Sequence, residues 1–185
     1  PPSWALTGDL DRFDEKPEQA EEAYGKAIAG GHDNIDYRQK RALMRIQLQR
    51  YDEAQKDIDI LKKQAPKHPG FNYAQGLIHF QNARYPEAQE SFERTLRTNP
   101  DYMPAVFYLS YLLVIKEQHE QASNLLSKFV SQYPNYVPGR KLLALVKLKQ
   151  NNYEKAESLM RPVAETSSDD ILALNLLATA LMHLN

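Results

Sequence analysis

The feature that most constrains this chain is an internal repeat of 34 residues. Written in rows of 34 from residue 1, the sequence keeps its register through five rows without a gap, and residues 171–185 begin a sixth. Row position 20 is always alanine and row position 8 is always small. These residues are Ala20, Ala54, Ala88, Ala122 and Ala156, and Gly8, Ala42, Gly76, Ser110, Ala144 and Ala178. A period of this length indicates a stacked array of units, none of which can bury its apolar face alone.

Each row carries the pattern of two amphipathic helices. In the fourth row, apolar residues recur at spacings of three and four over 105–113 and again over 122–129, which is the helical period. Prolines such as Pro100 and Pro134 stand between rows, where they end the second helix. The pattern predicts helix breaks near residues 50, 84, 118 and 152. The small residues at positions 8 and 20 are predicted to lie where the two helices cross, because larger side chains would overpack that site.

The residues at this spacing resemble the tetratricopeptide repeat family, whose pattern is an early Trp and Gly, a central Ala, an aromatic residue and a closing Pro. The matching residues are Trp4, Gly8, Ala20, Tyr24 and Ala27 in the first row, and Gly76, Tyr85, Ala88, Phe92 and Pro100 in the third. The resemblance implies an all-α fold, a right-handed superhelical solenoid of five helix-turn-helix hairpins plus one extra helix. We expect a single array over 1–185, with repeats 1–34, 35–68, 69–102, 103–136 and 137–170 and a partial repeat 171–185.

Several positions depart from this pattern. The first row has three aspartates in its first helix and Pro17 at the second, so its hairpin is expected to be short or irregular. Arg41 and Gln75 occupy a position where the family usually has leucine. Pro162 lies inside a predicted helix and is expected to kink or end it. Leucines crowd the last helix, which lacks a partner, and the chain is therefore expected to be a fragment of a longer one.

The sequence contains few candidates for a catalytic, metal-binding or phosphate-binding site. The chain has no cysteine, and its five histidines lie in different repeats without a second ligand at metal-binding spacing. Gly30 and Gly31 are not followed by lysine, so they form no phosphate-binding loop. Asp169 and Asp170 are typical of a helix N-cap. We therefore predict no enzymatic activity, no cofactor and no metal site.

The bulk charge and hydropathy also exclude two classes of partner. The formal net charge is −1, and residues 35–185 hold 20 basic and 16 acidic residues without a basic cluster, which argues against a nucleic-acid partner. No stretch reaches eighteen consecutive apolar residues, so no membrane span is expected.

Function is expected on the face lined by the first helices of the rows. In the family that the chain resembles, ligand contacts concentrate at row positions 2, 5, 9, 12 and 13. Carried over, these positions give an aromatic and aliphatic stripe. The candidate partner-binding residues are Gln39, Leu43, Tyr73, Leu77, Phe80, Phe107, Tyr111, Lys141 and Leu145. Two interpretations stay open: the stripe packs as core, or it forms a groove for an apolar or amphipathic segment of another protein.

The resemblance thus implies a non-catalytic scaffold that binds a protein or peptide segment. The alternative is a spacer array within a larger export assembly that holds no ligand tightly. A narrower resemblance, carried by residues 92–102, 140–144 and 176–178, is to the repeat lipoproteins that accompany bacterial exosortase and exopolysaccharide systems. It implies a scaffold for polymer export or protein sorting, either periplasmic or anchored to the outer membrane.

Overall fold

The computed structural model describes residues 3–184, which form eleven α-helices and contain no strand. The all-α helical repeat fold predicted from the sequence is confirmed. The helices are α1 (Ser3–Phe13), α2 (Pro17–Ala29), α3 (Ile35–Gln47), α4 (Tyr51–Gln64), α5 (Pro69–Gln81), α6 (Tyr85–Thr98), α7 (Met103–Ile115), α8 (His119–Gln132), α9 (Val137–Lys149), α10 (Tyr153–Thr166) and α11 (Ile171–Leu184).

The turns inside the hairpins fall where the sequence predicts them and share one conformation. They lie at residues 48–50, 82–84, 116–118 and 150–152. Row position 15 adopts a left-handed conformation in each of the first five rows, with φ between 55° and 60° at Glu15, Gln49, Ala83, Glu117 and Asn151. In the third row the N–H of Arg84 donates to the carbonyl of His79 at 2.8 Å, and that of Ala83 donates to Phe80 at 3.0 Å. This is the Schellman pattern, which satisfies the last carbonyl groups of a helix.

The chain divides into two compact units, residues 1–100 and residues 101–185. In the first unit the hairpins are α1–α2, α3–α4 and α5–α6, and α3 also contacts α2 and α5. In the second unit the hairpins are α7–α8 and α9–α10, and α11 packs against both α9 and α10. The single array expected over the whole chain stays a prediction.

The core of each hairpin forms where its two helices cross, and the five alanines at row position 20 are fully buried there. A Cβ atom on Gly8 would lie 2.7 Å from the ring of Tyr24, and one on Gly76 would lie 2.6 Å from the ring of Phe92. Both rings stand at row position 24. Where that position is aliphatic, position 8 carries alanine or serine instead; these pairs are Ala42 and Ile58, Ser110 and Leu126, and Ala144 and Met160. Close packing therefore relates the size of the side chain at row position 8 to the size of the side chain at row position 24 of the same row.

Two of the irregularities expected from the sequence can be compared with the structure. The first hairpin does begin with a short helix, since α1 has 11 residues. The helix end expected as one outcome at Pro162 is wrong, because α10 continues to Thr166. Val163, which directly follows the proline, is only 2% exposed. Its burial holds the last turn against the core although proline removes one backbone hydrogen bond.

Candidate partner-binding groove

The helices α7, α9 and α11 of the second unit enclose an apolar groove of about 350 Å³. Each helix contributes residues four positions apart, which lie one above the other on a single face. The lining residues are Phe107 and Tyr111 from α7, Pro138, Lys141, Leu142 and Leu145 from α9, and Leu172 and Leu176 from α11. All but Lys141 are apolar or aromatic, and a concavity with such a lining suits the apolar side chains of a ligand.

The two aromatic residues of the groove differ in how far they belong to the core. Phe107 is half-buried, and its ring centroid lies 5.4 Å from that of Phe129 and 5.5 Å from that of Tyr136. Tyr111, one turn further along α7, is 40% exposed. Aromatic packing therefore holds the Phe107 side chain in place at the side of the groove. The Tyr111 side chain is exposed enough to contact a partner segment.

Lys141 lies at the edge of the groove and ties α9 to α11. Its Nζ is 2.5 Å from Oδ2 of Asp170, while Oδ1 of Asp170 accepts the N–H of Ala173 at 3.1 Å. The hydrogen bond from Lys141, followed by the backbone N–H of Ala173, holds the pKa of Asp170 below its ordinary value. The N-cap role predicted for Asp170 is confirmed. Since the Lys141 ammonium already has this partner, it is a structural tie as well as a candidate contact.

Two candidate residues of the first unit lie in its core. Tyr73 is 7% exposed and Leu77 is 8% exposed. The ring centroid of Tyr73 lies 6.0 Å from that of Phe92, which reaches α5 over Gly76. Of the two interpretations left open by the sequence, core packing fits the burial of Tyr73 and Leu77, and the missing Cβ of Gly76 lets the Phe92 ring approach α5 beside Tyr73. Partner binding by Tyr73 and Leu77 stays a prediction.

Three further candidates of the first unit keep part of their surface open. Gln39 lies against Gly70, where a Cβ would collide with the Gln39 amide. Leu43 packs against the buried cluster of α1, α2 and α3. Phe80 lies beside Tyr85, with 5.9 Å between the ring centroids. Partner binding by these three side chains stays a prediction.

Four lining residues were not among the candidates, namely Pro138, Leu142, Leu172 and Leu176. Pro138 and Leu172 stand at position 2 of their rows, a contact position in the resembled family, so the row pattern could have found them. Leu142 and Leu176 stand at position 6, which the pattern assigns to no ligand. Only the packing of three helices reveals them.

Within residues 3–184, no group of three or more histidine, aspartate or glutamate side chains is placed to hold a metal ion. In the same part of the chain, every helix is too short or too polar to cross a membrane.

Known proteins share both the repeat and the fold of this chain. Models of the tetratricopeptide repeat match residues 113–180 and, with a second model, residues 40–88 and 73–137. No curated protein sequence matches the chain. One similar solved structure is a chain of the APC/C hetero-tetramer Cut9–Hcn1, with a TM-score of 0.81 and 17% sequence identity over 97% of this chain and 36% of that one. Another is TTC0263 from Thermus thermophilus, with a TM-score of 0.72 and 15% sequence identity over 97% of both chains. A third is YrrB, described as a TPR protein with an unusual peptide-binding site (0.59, 16%, 93% of this chain and 89% of that one). At these identities the likeness is one of fold.

Proposed function

Because this chain belongs to the tetratricopeptide repeat family, we propose that it is a scaffold that binds an apolar or amphipathic segment of a partner protein in the groove of α7, α9 and α11. Proteins of this family generally mediate protein–protein interactions, and the fold is typically a non-catalytic interaction scaffold. The partner segment covers Tyr111 of α7, Leu145 of α9 and Leu172 of α11.

The observation that carries this proposal is that apolar side chains line a concavity and stay open to solvent. Tyr111 is 40% exposed and Leu172 is 55% exposed. Covering apolar surface releases about 25 cal/mol per Å², so a segment that fills the groove gains free energy from each side chain it buries. A contiguous apolar patch on a folded protein usually marks an interaction site.

The groove also supports the scaffold over the alternative, a spacer array. A spacer holds no ligand, so its inner face should be polar or packed on itself. The first unit fits that description at Tyr73 and Leu77, which are buried. The second unit does not, since its groove has an apolar lining and a volume of about 350 Å³. The peptide-binding site named for YrrB supports the same proposal.

The test uses two neighbouring aliphatic side chains of α11. Leu172 lines the groove, whereas Ile171 is 73% exposed and lies outside the lining. Peptides are selected on the immobilised chain from a displayed library, and the affinity of a selected peptide is measured by fluorescence anisotropy. Leu172→Ala should weaken binding about tenfold or more, because a buried anchor typically contributes about 2 kcal/mol or more.

The matched variant Ile171→Ala should leave the affinity unchanged. Equal losses in both variants would show that the peptide binds elsewhere on α11. A library that yields no binding peptide would favour the spacer.

We also propose that the scaffold serves polymer export or protein sorting in a bacterial envelope, in the periplasm or at the outer membrane. The support is the resemblance of residues 92–102, 140–144 and 176–178 to repeat lipoproteins of such systems. Immunoblots of cell fractions from the native organism test the location, and finding the protein only in the cytoplasm would contradict it.

A further inference from the structure

Row positions 4, 7 and 11 lie on one face of each first helix, and their chemistry changes from row to row. In the fourth row they are Val106, Leu109 and Leu113. All three are buried, with exposures of 1%, 7% and 4%. Apolar side chains therefore fill the space on this face of α7.

The second row fills the corresponding space with charge. Arg38, Arg41 and Arg45 all reach Asp57 of α4, with donor–acceptor distances between 2.6 and 3.1 Å. Asp57 is only 1% exposed. Its carboxylate is buried and fully surrounded, so this face of α3 has no room for a ligand.

The third row fills the space with neither leucine nor arginine. Its three positions carry Asn72, Gln75 and His79, and Ser91 stands across from them on α6, at the row position that Asp57 takes in the second row. The result is an open groove of about 470 Å³ with α5 as its floor and α4 and α6 as its walls. Ser91 is smaller than Asp57 and Leu125, which stand at the same row position in the second and fourth rows, so it leaves space beside Gln75.

The floor of the groove carries polar groups that the fold does not use. Nδ1 of His79 is buried and has no hydrogen-bond partner in the part of the chain that the structure describes. Desolvation by burial, assisted by the positive charge of Arg84, lowers the pKa of His79, so its ring is neutral near pH 7. Buried polar groups are nearly always paired with protein or with ordered water. Packing within the described residues therefore leaves this nitrogen unsatisfied.

The walls of the groove give it two oppositely charged ends. Along α6 the lining residues run from Glu87 and Glu90 to Arg94 and Arg97. The helices α4 and α6 are each joined to α5 by a short turn, so both run antiparallel to it and parallel to each other. Lys62, near the end of α4, therefore lies toward the Arg97 end.

The cations at that end differ in their partners. Arg94 is paired with Glu90 at 2.5 Å. Lys62 and Arg97 take part in no ion pair within residues 3–184. They are available to a carboxylate from another molecule.

We propose that this groove binds an extended peptide of about four or five residues, with a carboxylate at one end and a basic side chain at the other. The carboxylate lies over Lys62 and Arg97, and the basic side chain lies over Glu87. At about 1.5 Å per residue, the ten residues from Glu87 to Arg97 span about 15 Å. An extended chain of about 3.3 Å per residue covers that distance in four or five residues.

The side chains of the floor match the middle of such a peptide. Asn72 and Gln75 each present one donor group and one acceptor, which is the complement of a peptide N–H and C=O. The order of charges along α6 also complements the helix dipole. The dipole, however, explains neither the polar residues at positions 4, 7 and 11 nor the open volume beside them.

The experiment measures fluorescence anisotropy with labelled pentapeptides that carry glutamate at one end, lysine at the other and alanine between them. The charges do not fix the chain direction, so both orders are synthesised. The matched variants are Lys62→Glu and Lys63→Glu, since both lie on α4 but only Lys62 lines the groove. One of the two peptides should bind saturably, and Lys62→Glu should weaken it about tenfold or more because two like charges then meet. Lys63→Glu should change the affinity less than about twofold.

A second variant tests the groove without removing charge. The pair Gln75→Leu and Ser91→Leu copies Leu109 and Leu125 of the fourth row, so it should fill the groove, abolish peptide binding and keep the helical circular dichroism. Tyr111→Ala should leave this affinity unchanged, which separates the site from the apolar groove of the second unit. Absence of binding by both peptides, or equal effects of Lys62→Glu and Lys63→Glu, would overturn the proposal. Displacement of the peptide by equimolar inorganic phosphate would also overturn it, since the site would then recognise an anion alone.

Discussion

Arg41 binds Asp57 with two nitrogens of its guanidinium group: Nε lies 2.9 Å from Oδ2 and Nη2 lies 2.6 Å from Oδ1. The carboxylate is 1% exposed and also accepts hydrogen bonds from Arg38 and Arg45. Arg45 in turn pairs with Glu21 of α2 at 2.8 Å. The arginine that departs from the family pattern is thus one member of a charge network that joins α2, α3 and α4.

Removing the centre of this network should destabilise the chain strongly. Asp57→Ala leaves three partly buried guanidinium groups without their shared carboxylate, and losing one partner of a buried pair typically costs about 3–5 kcal/mol. Urea denaturation followed by circular dichroism measures the loss. The control is Asp59→Ala on the same helix, whose carboxylate is exposed and accepts one hydrogen bond from Gln55. That variant should change the free energy of unfolding by less than about 0.5 kcal/mol.

A double variant tests whether the ion pair itself is needed. Arg41→Leu with Asp57→Leu copies Leu143 and Leu159 of the fifth row, which are buried. Replacing a buried ion pair by apolar residues of similar volume is often neutral or stabilising, so this variant should be much more stable than Asp57→Ala. A double variant as unstable as the single one would show that Arg38 and Arg45 alone require the carboxylate.

The contact between Gly76 and Phe92 gives a second prediction. Gly76→Ala places a Cβ 2.6 Å from the Phe92 ring, and overpacking a core typically costs about 1–3 kcal/mol. This exceeds the gain of about 0.5–1 kcal/mol that alanine brings to a helix interior, so a net loss is expected in urea denaturation.

Gly25→Ala is the matched control for that substitution. Its Cβ would come no closer than 3.7 Å to a neighbour, the Arg41 guanidinium, so it should stabilise the chain by about 0.5–1 kcal/mol. Combining Gly76→Ala with Phe92→Leu should cost less than the sum of the two single changes. Additive losses would mean that the ring does not determine the residue at position 76.

The period made the fold accessible from the sequence, because the small residues at positions 8 and 20 and the turn signals recur in every row. The residues that share one face of each first helix could be predicted for the same reason. Whether each of those residues is buried could not be predicted, and Tyr73 and Phe107 show why. Both stand at row position 5, yet Tyr73 is buried beside Phe92 whereas Phe107 is half-buried and lines a groove. The difference depends on which side chains the neighbouring helices supply, and the row pattern does not contain that information.

The pairing of Asp57 with Arg41 is a second feature that could not be predicted from the sequence. The unusual arginine at position 41 is visible in the sequence, but its partner lies sixteen residues away on the next helix. Pairing across two helices becomes evident only when both faces are placed in space.

The tie between Lys141 and Asp170 predicts a pH dependence. The pKa of Asp170 lies below the ordinary 3.8, first because of the hydrogen bond from Lys141. A carboxyl with a lowered folded pKa stabilises the fold above the ordinary value, and that contribution is lost as pH falls through the folded pKa. NMR titration of the Asp170 carboxyl should show its pKa rising toward 3.8 in Lys141→Met. An unchanged pKa would mean that the Ala173 N–H alone holds the carboxylate.

The last prediction separates the two aromatic residues of the groove. Tyr111 is 40% exposed, so Tyr111→Ala should weaken a peptide selected for the groove by about tenfold or more while leaving the melting temperature nearly unchanged. Phe107 packs against Phe129 and Tyr136 at centroid distances of 5.4 and 5.5 Å. Phe107→Ala should therefore lose both affinity and stability, because aromatic truncation in a core costs about 3–5 kcal/mol when burial is complete and less when it is partial.

Both quantities are measured on the same samples, affinity by fluorescence anisotropy and stability by thermal melting. Tyr133 is a suitable control, because it is 48% exposed, directly follows the end of α8 and contributes nothing to the groove lining. Tyr133→Ala should leave the affinity for the peptide unchanged. If Tyr111→Ala lowers the melting temperature as much as Phe107→Ala and binds the peptide like the wild type, Tyr111 belongs to the core. The binding surface of the second unit would then have to lie away from α7, because Tyr111, the most exposed aromatic side chain of α7, would contribute only to folding.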